Sequence, residues 1–382
     1  MEKAYLDNAA TTRLRDSVIA KMQDALADCY GNPSSVHSFG RTAKTAIERA
    51  RKTIAKTLNA HPSEIIFTSG GTEADNMILR SAVLDLGVQT IISSKIEHHA
   101  VLHTLEDLEE KTELSLKFVA LDAFGNPDFD DLERLLAADD GKKLVSLMHV
   151  NNEIGNLTDV AAVSRLCKEY DALFHSDTVQ SIGHFPWDVQ EVPIDFMAAA
   201  AHKFHGPKGV GFAFIRKGSG LKPMIMGGAQ ERGHRAGTES FHNIVGMEAA
   251  FVAAYEELEA ERRYVSELKE YFITALRKHI PKIKFNGYSD NMEKSTYTLV
   301  NLCLPIDAQK AKMLLFHLDI KGIACSEGSA CQSGSSSGSH VLNEILGEED
   351  LRKPSLRFSF SKFNTKEELD YVVGVLKDFV ES

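Results

Sequence analysis

The stretch that most constrains the fold covers residues 195–214 and reads DFMAAAAHKFHGPKGVGFAF. An apolar run ends at His202 and Lys203, a turn with two glycines and a proline follows, and a second apolar run begins at Val210. This pattern predicts two buried strands joined by a tight loop. Burial disfavours the charged form of a lysine, and the free amine is the nucleophile of a Schiff base. A surface lysine at a strand end is the alternative, and this stretch alone favours it.

Short apolar runs alternate with segments of helical periodicity through the first two thirds of the chain. The predicted strands are 64–68, 90–94, 116–121, 144–150, 173–176, 196–201 and 210–215. The predicted helices are 16–27, 41–58, 73–86, 129–137 and 160–170, together with a helix that residues 96–99 lead into and that ends near residue 108. Strand–helix alternation predicts a mainly parallel sheet covered by helices on both faces. Ligand sites in such sheets form outside the carboxyl ends of the strands.

Polar side chains follow four of these predicted strands at the points where the strands end. They are His98, Asn152, Asp177 with Gln180, and His202 with Lys203. A single polar residue at a strand end is usually a helix cap. Four sets predict one shared site, because the carboxyl ends of parallel strands converge in space.

A glycine-rich turn with the sequence SGGT joins the strand 64–68 to the next helix and contains Gly71 and Thr72. Free backbone N–H groups at a helix N-terminus bind phosphate, and the threonine adds a hydroxyl. Glu73 and Asp75 suit the helix dipole but oppose an anion. An ordinary strand–helix turn with a threonine cap therefore stays equally well supported.

The rest of the chain predicts a second, smaller α+β unit. A helical stretch at 243–278 leads into predicted strands at 282–286, 296–304 and 356–360 and helices at 308–318, 340–346 and 366–379. We expect an N-terminal segment (1–15) packed on the small domain, a large domain (16–258) and a small domain (259–382). The glycine- and serine-rich segment 322–339, which contains Cys331, is expected to form a mobile loop.

Charge and cysteine usage narrow the classes of function. The 382 residues carry a formal net charge of −11, which argues against binding to nucleic acid or an anionic membrane. No apolar run is long enough to span a bilayer, and the N-terminus lacks a signal-peptide pattern. Five scattered cysteines without a CxxC pair indicate neither a zinc site nor a disulfide framework, and a reducing cytoplasm is the expected compartment.

Ten motifs in order give the whole chain a family resemblance. They are YLDNAATT, GNPSSVHSFGR, SGGTEADN, EHHAVL, MHVNNEIG, SDTVQS, AHKFHGPKGVG, ERGHRAGTES, GSAC and LRFSFSKFNT. Together they resemble the cysteine desulfurases of the nitrogen-fixation and iron–sulfur-assembly type, which are class V aminotransferases with the type I fold of pyridoxal-phosphate enzymes. The resemblance implies a large α/β domain with a mainly parallel sheet, and a smaller α+β domain at the C-terminus.

The resemblance also implies pyridoxal 5'-phosphate as cofactor. Lys203 resembles the lysine that holds it covalently and later moves the Cα proton. Asp177 resembles the aspartate that keeps the pyridine nitrogen protonated, so that the ring accepts electrons. His98 resembles the histidine stacked on the ring. The remaining cofactor contacts implied are Gln180 and Asn152 at the phenolic oxygen, Thr72, Gly71 and His202 at the phosphate, and Thr238 at the phosphate from the other subunit of a homodimer.

On the substrate side, the resemblance implies L-cysteine as substrate and L-alanine as product. Arg357 resembles the arginine that pairs with the substrate carboxylate, with Asn152 beside it. Cys331 resembles the nucleophile that takes the sulfur as a persulfide and delivers it to an acceptor, such as an iron–sulfur scaffold protein. The alternatives are a selenocysteine lyase or cysteine-sulfinate desulfinase, and a non-catalytic scaffold for iron–sulfur assembly.

Two positions depart from the family pattern. The family usually has a phosphate-binding serine three residues before the lysine, where this chain has Ala200, and a proline where this chain has Arg13. Ala200 bears on cofactor affinity and not on the class of reaction.

Overall fold

The structure, a computed structural model, describes residues 3–327 and 338–382. The strands of these ranges are β1 (Ala4–Tyr5), β2 (Ile65–Thr68), β3 (Thr90–Ser93), β4 (Ser115–Phe118), β5 (Lys143–Ser146), β6 (Leu173–Asp177), β7 (Phe196–Ala200), β8 (Gly211–Ile215), β9 (Lys284–Phe285), β10 (Leu299–Cys303), β11 (Ile323–Ala324) and β12 (Ser355–Ser359). The helices are α1 (Asp16–Asp28), α2 (Ser38–Thr57), α3 (Gly71–Leu84), α4 (His99–Lys111), α5 (Phe129–Leu136), α6 (Val160–Glu169), α7 (Phe241–Glu256), α8 (Leu258–His279), α9 (Ala308–Ala311), α10 (Leu314–Ile320), α11 (His340–Ile345), α12 (Glu348–Leu351) and α13 (Lys366–Glu381).

A seven-stranded sheet in the order β2-β8-β7-β6-β5-β3-β4 forms the centre of the first two thirds of the chain. The pairs from β7 through β6, β5 and β3 to β4 are parallel, and only β8 runs antiparallel to its neighbours β7 and β2. The predicted mainly parallel sheet is therefore confirmed. The β7–β8 pair is the predicted hairpin of residues 195–214, with Lys203 in the connection.

Both faces of this sheet are buried along β2, β3, β5, β6, β7 and β8, whereas the edge strand β4 is half-buried to exposed. Alternate residues of β7 belong to different cores, because successive side chains of a strand point to opposite faces. Met197 and Ala199 join a core with Phe212, and Phe196 and Ala198 join the core on the other face. The strands are therefore held from both sides, and their carboxyl ends form a rigid edge.

The C-terminal third has its own antiparallel sheet, β12-β10-β9, and its own hydrophobic core. The N-terminal strand β1 pairs in parallel with β11, and Leu6 is buried in this third core. The N–H of Ser359 in β12 donates to the carbonyl oxygen of Leu6, and the N–H of Thr12 donates to the carbonyl oxygen of His202 after β7, so residues 4–12 connect the small sheet to the edge of the large one. The exact domain boundaries, at residues 15 and 258, stay a prediction.

The helical stretch predicted at 243–278 is two helices, α7 and α8, which meet at Glu257. Arg15 donates to Glu257 at 2.8 Å and to Glu261 at 2.5 Å. Local periodicity carries no information about a partner so far away in the chain, so the sequence did not show this junction. None of the described helices is long and apolar enough to cross a membrane.

Candidate active site

A cavity of about 280 Å³ lies at the carboxyl ends of β5, β6 and β7, beside the N-terminus of α3. Most of the residues proposed from the sequence line it. They are Gly71, Thr72, His98, Asn152, Asp177, Gln180, His202, Lys203 and Arg357. The structure therefore brings together residues that are up to 286 positions apart, as the convergence of strand ends predicted.

Lys203 ends the short 3₁₀ turn (Ala201–Lys203) that follows β7. Its ammonium group donates to the carbonyl oxygens of Ala9 at 2.5 Å and Ala10 at 2.9 Å. The side-chain amide of Gln180 donates to the same Ala9 oxygen at 2.9 Å. The N-terminal segment thus holds the lysine at the cavity wall with neutral main-chain acceptors, from which the amine can be released.

Asp177 is the last residue of β6 and is buried. Its Oδ1 accepts a hydrogen bond from the backbone N–H of Val179 at 2.9 Å. Burial raises the pKa of Asp177 to about 6, although the N–H of Val179 and the charge of Lys203 oppose the rise. The group is therefore a carboxylate at neutral pH and can pair with a protonated ring nitrogen in the cavity.

His98 is the N-cap of α4, and its Nδ1 accepts from the backbone N–H of Ala100 at 3.1 Å. This bond places the hydrogen of the neutral imidazole on Nε2. Burial, together with the charge of Lys203, lowers the pKa of His98 to about 4. His98 is thus a neutral ring on the cavity wall, which suits stacking against another flat ring.

The opposite end of the cavity is suited to an anion. α3 begins at Gly71, where an added Cβ would lie 2.4 Å from Cγ2 of Val179, so a side chain would not fit. The N-cap Gly70 has no side chain to cap this helix start, and backbone N–H groups at a helix start attract phosphate. Glu73 does not oppose an anion here as the sequence suggested, because Arg235 donates to it at 2.8 Å.

Arg357 lies in the middle of β12 and is buried at the boundary between the two sheets. Its Nη1 donates to the carbonyl oxygen of Asn152 at 2.7 Å, and its Nη2 donates to Oδ1 of Asp7 at 3.1 Å. The Oδ1 of Asn152 is buried and has no hydrogen-bond partner in the described part of the chain. Oδ1 is an acceptor, so a carboxylate would instead be oriented by the donors at this place, the guanidinium N–H groups of Arg357 and the Nδ2–H groups of Asn152.

Two of the proposed residues are not placed in the cavity. Thr238 is exposed and lines a separate surface cavity with Cys29 and Tyr30. Cys331 lies outside the described residues.

The profile of the family described as "Aminotransferase class-V" matches residues 4–372. The chain belongs to the class-V aminotransferase family. A relative named "Cysteine desulfurase IscS", from Dictyoglomus turgidum, is 42% identical over 99% of this chain and 95% of its own length. A solved "NIFS-LIKE PROTEIN" has a TM-score of 0.90 and 34% identity, with 100% of both chains covered. A structure titled "SspA in complex with cysteine" has a TM-score of 0.81 and 30% identity, covering 95% of this chain and 100% of the other.

Sequence reasoning missed three acidic residues at the site of this class-V aminotransferase. Asp75 lines the cavity, Asp7 pairs with Arg357, and buried Glu97 accepts from the backbone N–H of Met148 at 2.7 Å. The acidic residues of YLDNAATT, SGGTEADN and EHHAVL are visible in the sequence. Only the tertiary fold shows that they turn inward.

The departure at Ala200 lies at the phosphate end of the cavity. Ala200 is buried and lines the cavity, and its Cβ would be 3.9 Å from a Cβ at Gly71. Position 200 therefore offers a methyl group and no side-chain hydroxyl to a phosphate. His202, held with its Nδ1 3.3 Å from the hydroxyl of Thr11, is the nearby polar side chain from the same turn.

Proposed function

We propose that this chain is a pyridoxal-phosphate-dependent cysteine desulfurase, which converts L-cysteine to L-alanine and takes the sulfur as a persulfide on Cys331. The observation that carries the proposal is the convergence of Lys203, Asp177, His98 and Arg357 on one cavity. Each supplies a different function: an amine nucleophile, a carboxylate for a ring nitrogen, a neutral ring, and a guanidinium for a carboxylate.

The residues fit the cofactor. The cavity has an amine at one wall, a buried carboxylate at another and a helix N-terminus at a third, and glycine at position 71 leaves room beside Val179. Lys203, Asp177, Gln180, Asn152 and His98 would hold the ring. Gly71, Thr72 and His202 would hold the phosphate. When bound, pyridoxal phosphate supplies an electron sink that weakens the Cα–H bond of the substrate and then its C–S bond.

The chain's own groups bind the substrate and move its protons. Arg357 and the amide of Asn152 hold the substrate carboxylate, which fixes the Cα–H bond toward Lys203. Lys203, as the neutral amine, would act as the general base: its Nζ lone pair accepts the Cα proton, and the electron pair of the C–H bond stays on the substrate. His98 stays neutral because burial lowers its pKa to about 4. Its Nε2–H can therefore donate a hydrogen bond in the cavity without bringing a positive charge into it.

Cys331 is proposed to accept the sulfur as a thiolate. An S–S bond forms as the C–S bond of the substrate breaks, and the carbon keeps the electron pair and is protonated to give alanine. The persulfide is then delivered to an acceptor protein, such as an iron–sulfur scaffold. The relative named cysteine desulfurase IscS and the solved structure titled as a cysteine complex support this choice of chemistry and substrate.

A homodimer in the cytoplasm is part of the proposal. Thr238 lies outside the cavity of its own chain, on an exposed segment, and the proposed role at the phosphate therefore requires a second copy. The exposed aromatic side chain of Tyr30 beside it is suited to such a contact.

The proposal is tested with purified protein, pyridoxal phosphate and L-cysteine. Alanine should form in every reaction, and sulfide should be released mainly when a thiol reductant is present to cleave the persulfide. Selenocysteine and cysteine sulfinate serve as competing substrates. Preferred turnover of either one, or no alanine from cysteine, would contradict the proposal.

A further inference from the structure

Three carboxyl groups, those of Asp177, Asp75 and Glu97, are buried near one another beside the cavity. Asp177 ends β6, Asp75 lies one turn inside α3, and Glu97 precedes α4. Their exposed fractions are 6%, 1% and 1%. Asp75 is close enough to feel the charges of both Asp177 and Glu97, and it lines the cavity. The proposed mechanism uses only Asp177.

The three carboxyls differ in their hydrogen bonds. One oxygen of Asp177 and one of Glu97 accept backbone N–H groups. Both oxygens of Asp75 lack a hydrogen-bond partner within residues 3–327 and 338–382. Over the same ranges, the only basic group within ion-pair distance of Asp75 is His175. An ionised carboxylate in such surroundings is strongly disfavoured, because neither a cation nor a hydrogen-bond donor compensates for the lost water.

His175 faces Asp75 from β6. It lies two residues before Asp177 and therefore on the same face of the strand. Its Nε2 is 3.3 Å from Oδ1 of Asp75, and its Nδ1 is 2.9 Å from Oγ of Ser146 on β5. Burial lowers the pKa of His175 to about 3, and burial with the nearby carboxyls raises the pKa of Asp75 well above its usual range. A proton held between the two groups therefore stays on the acid.

We propose that Asp75 is a neutral carboxylic acid at neutral pH, that it donates its proton to Nε2 of His175, and that this leaves Asp177 as the ionised carboxylate nearest the ring nitrogen. The imidazole then carries its hydrogen on Nδ1 and donates to the hydroxyl oxygen of Ser146. The Asp75–His175 pair then has no net charge. The two residues act as positioning residues, because they leave the negative charge of the site on Asp177. The inference deepens the proposed function and rests on it for the cofactor.

No other titratable group around Asp75 among the described residues compensates for a negative charge on its carboxyl group. The strands β2, β7 and β8, which pack against α3, read IIFT, FMAAA and GFAFI and contribute no titratable side chain. The helix α4 also packs against α3 and carries titratable side chains, of which Asp107 pairs with Arg80 of α3 at 2.9 Å. Glu97 and His98 lie directly before α4, and His98 and Lys203 line the same cavity as Asp75. Since like charges in a closed site cannot all ionise, the carboxylate that faces Lys203 keeps its charge and Asp75 is protonated.

Infrared spectroscopy of the cofactor-free protein at pH 8 tests the proposal. The wild type, labelled with ¹³C in the aspartate carboxyl groups, should show a C=O stretching band of a protonated aspartic acid that shifts with the label and in D₂O. Asp75→Asn should remove this band. Asp177→Asn should leave it at this pH, and Glu97→Gln, the matched control, should leave it as well.

The outcomes separate this inference from the proposed function. Absence of a labelled acid band in the wild type at pH 8 would overturn the proposal without any variant, so it stays testable if Asp75→Asn does not fold. Loss of the band in Glu97→Gln but not in Asp75→Asn would also overturn it. Neither result depends on whether the protein releases sulfur from cysteine, which the activity assay measures independently.

Discussion

The guanidinium of Arg357 and the carboxylate of Asp7 lie 3.1 Å apart, although 350 residues separate them in the chain. The hydroxyl of Ser326 donates to the same Asp7 oxygen at 2.7 Å, and Arg357 also donates to the carbonyl oxygen of Asn152. Arg357 is therefore fixed from the N-terminal segment and from the loop after β5. Its planar fork is oriented by the fold before a substrate arrives, which lowers the ordering cost of binding.

Arg357→Lys keeps the positive charge but loses the fork. A charge-assisted hydrogen bond contributes about 1.5–3 kcal/mol, so kcat/KM for L-cysteine should fall about 10- to 100-fold while the absorbance of the bound cofactor stays. Alanine formation measures the loss. Arg352→Lys, in an exposed i,i+4 pair with Glu348, is the matched control and should behave as wild type. Unchanged kinetics in Arg357→Lys would show that Arg357 does not bind the substrate carboxylate.

Lys203→Ala should abolish covalent attachment of the cofactor and turnover, because Lys203 is the one lysine among the described residues that line the cavity. Borohydride reduction of the wild type followed by peptide mapping should place the pyridoxyl group on Lys203. Lys208→Ala, at an exposed lysine in the same hairpin connection, is the control and should retain both. A pyridoxyl group on Lys208 would show that the assignment is wrong.

Ala200→Ser tests the departure from the family at the phosphate end. A hydroxyl there would add one hydrogen bond to the phosphate, which contributes about 0.5–3 kcal/mol according to whether water already takes its place. The dissociation constant for pyridoxal phosphate should therefore fall or stay the same. A clear rise would mean that the buried wall around Ala200 has no room for the added oxygen.

The affinity for pyridoxal phosphate should depend on the ionisation of Asp177. Since burial raises its pKa to about 6, the carboxyl is ionised above that pH and protonated below it. A protonated acid does not stabilise a ring N–H⁺, so affinity should fall as the pH is lowered through 6, by about tenfold at pH 5. Titration of cofactor-free protein measures this. Asp177→Asn is the control, because any pH dependence that comes from the cofactor itself is the same in both proteins. Its affinity should not show the additional fall below pH 6, and a wild-type curve of affinity against pH that runs parallel to the Asp177→Asn curve would contradict the prediction.

Much of the fold could be predicted from the sequence because the strands are short, apolar and separated by periodic helices. The hairpin around Lys203 and the convergence of His98, Asn152 and Asp177 followed from the rule that parallel strand ends share one edge. The two-residue strands β1 and β11 could not be predicted, since their pairing leaves no local sequence pattern.

The inward acidic residues could not be predicted from local sequence. Asp75 resembled a residue that complements the dipole of α3, yet it is buried against His175 of β6. The partner of Asp7 could not be predicted, because an ion pair between the two ends of the chain has no characteristic sequence spacing. Such contacts depend on how elements pack, and only the three-dimensional structure shows them.

Cys325 is the internal comparison for the proposed nucleophile. It follows β11 and burial raises the pKa of its thiol, so little thiolate forms there. Cys325→Ser should keep most of the activity. Cys331→Ser should still bind pyridoxal phosphate and L-cysteine but should release no sulfur from the substrate.

In the proposed reaction the sulfur of cysteine passes to Cys331. The most direct measurement is peptide mass spectrometry of the protein after brief exposure to L-cysteine without reductant. We expect one additional sulfur atom on the peptide that contains Cys331, removable by a thiol reductant. Additional sulfur on the peptide of Cys325 instead, or alanine formation at the normal rate by Cys331→Ser, would contradict it.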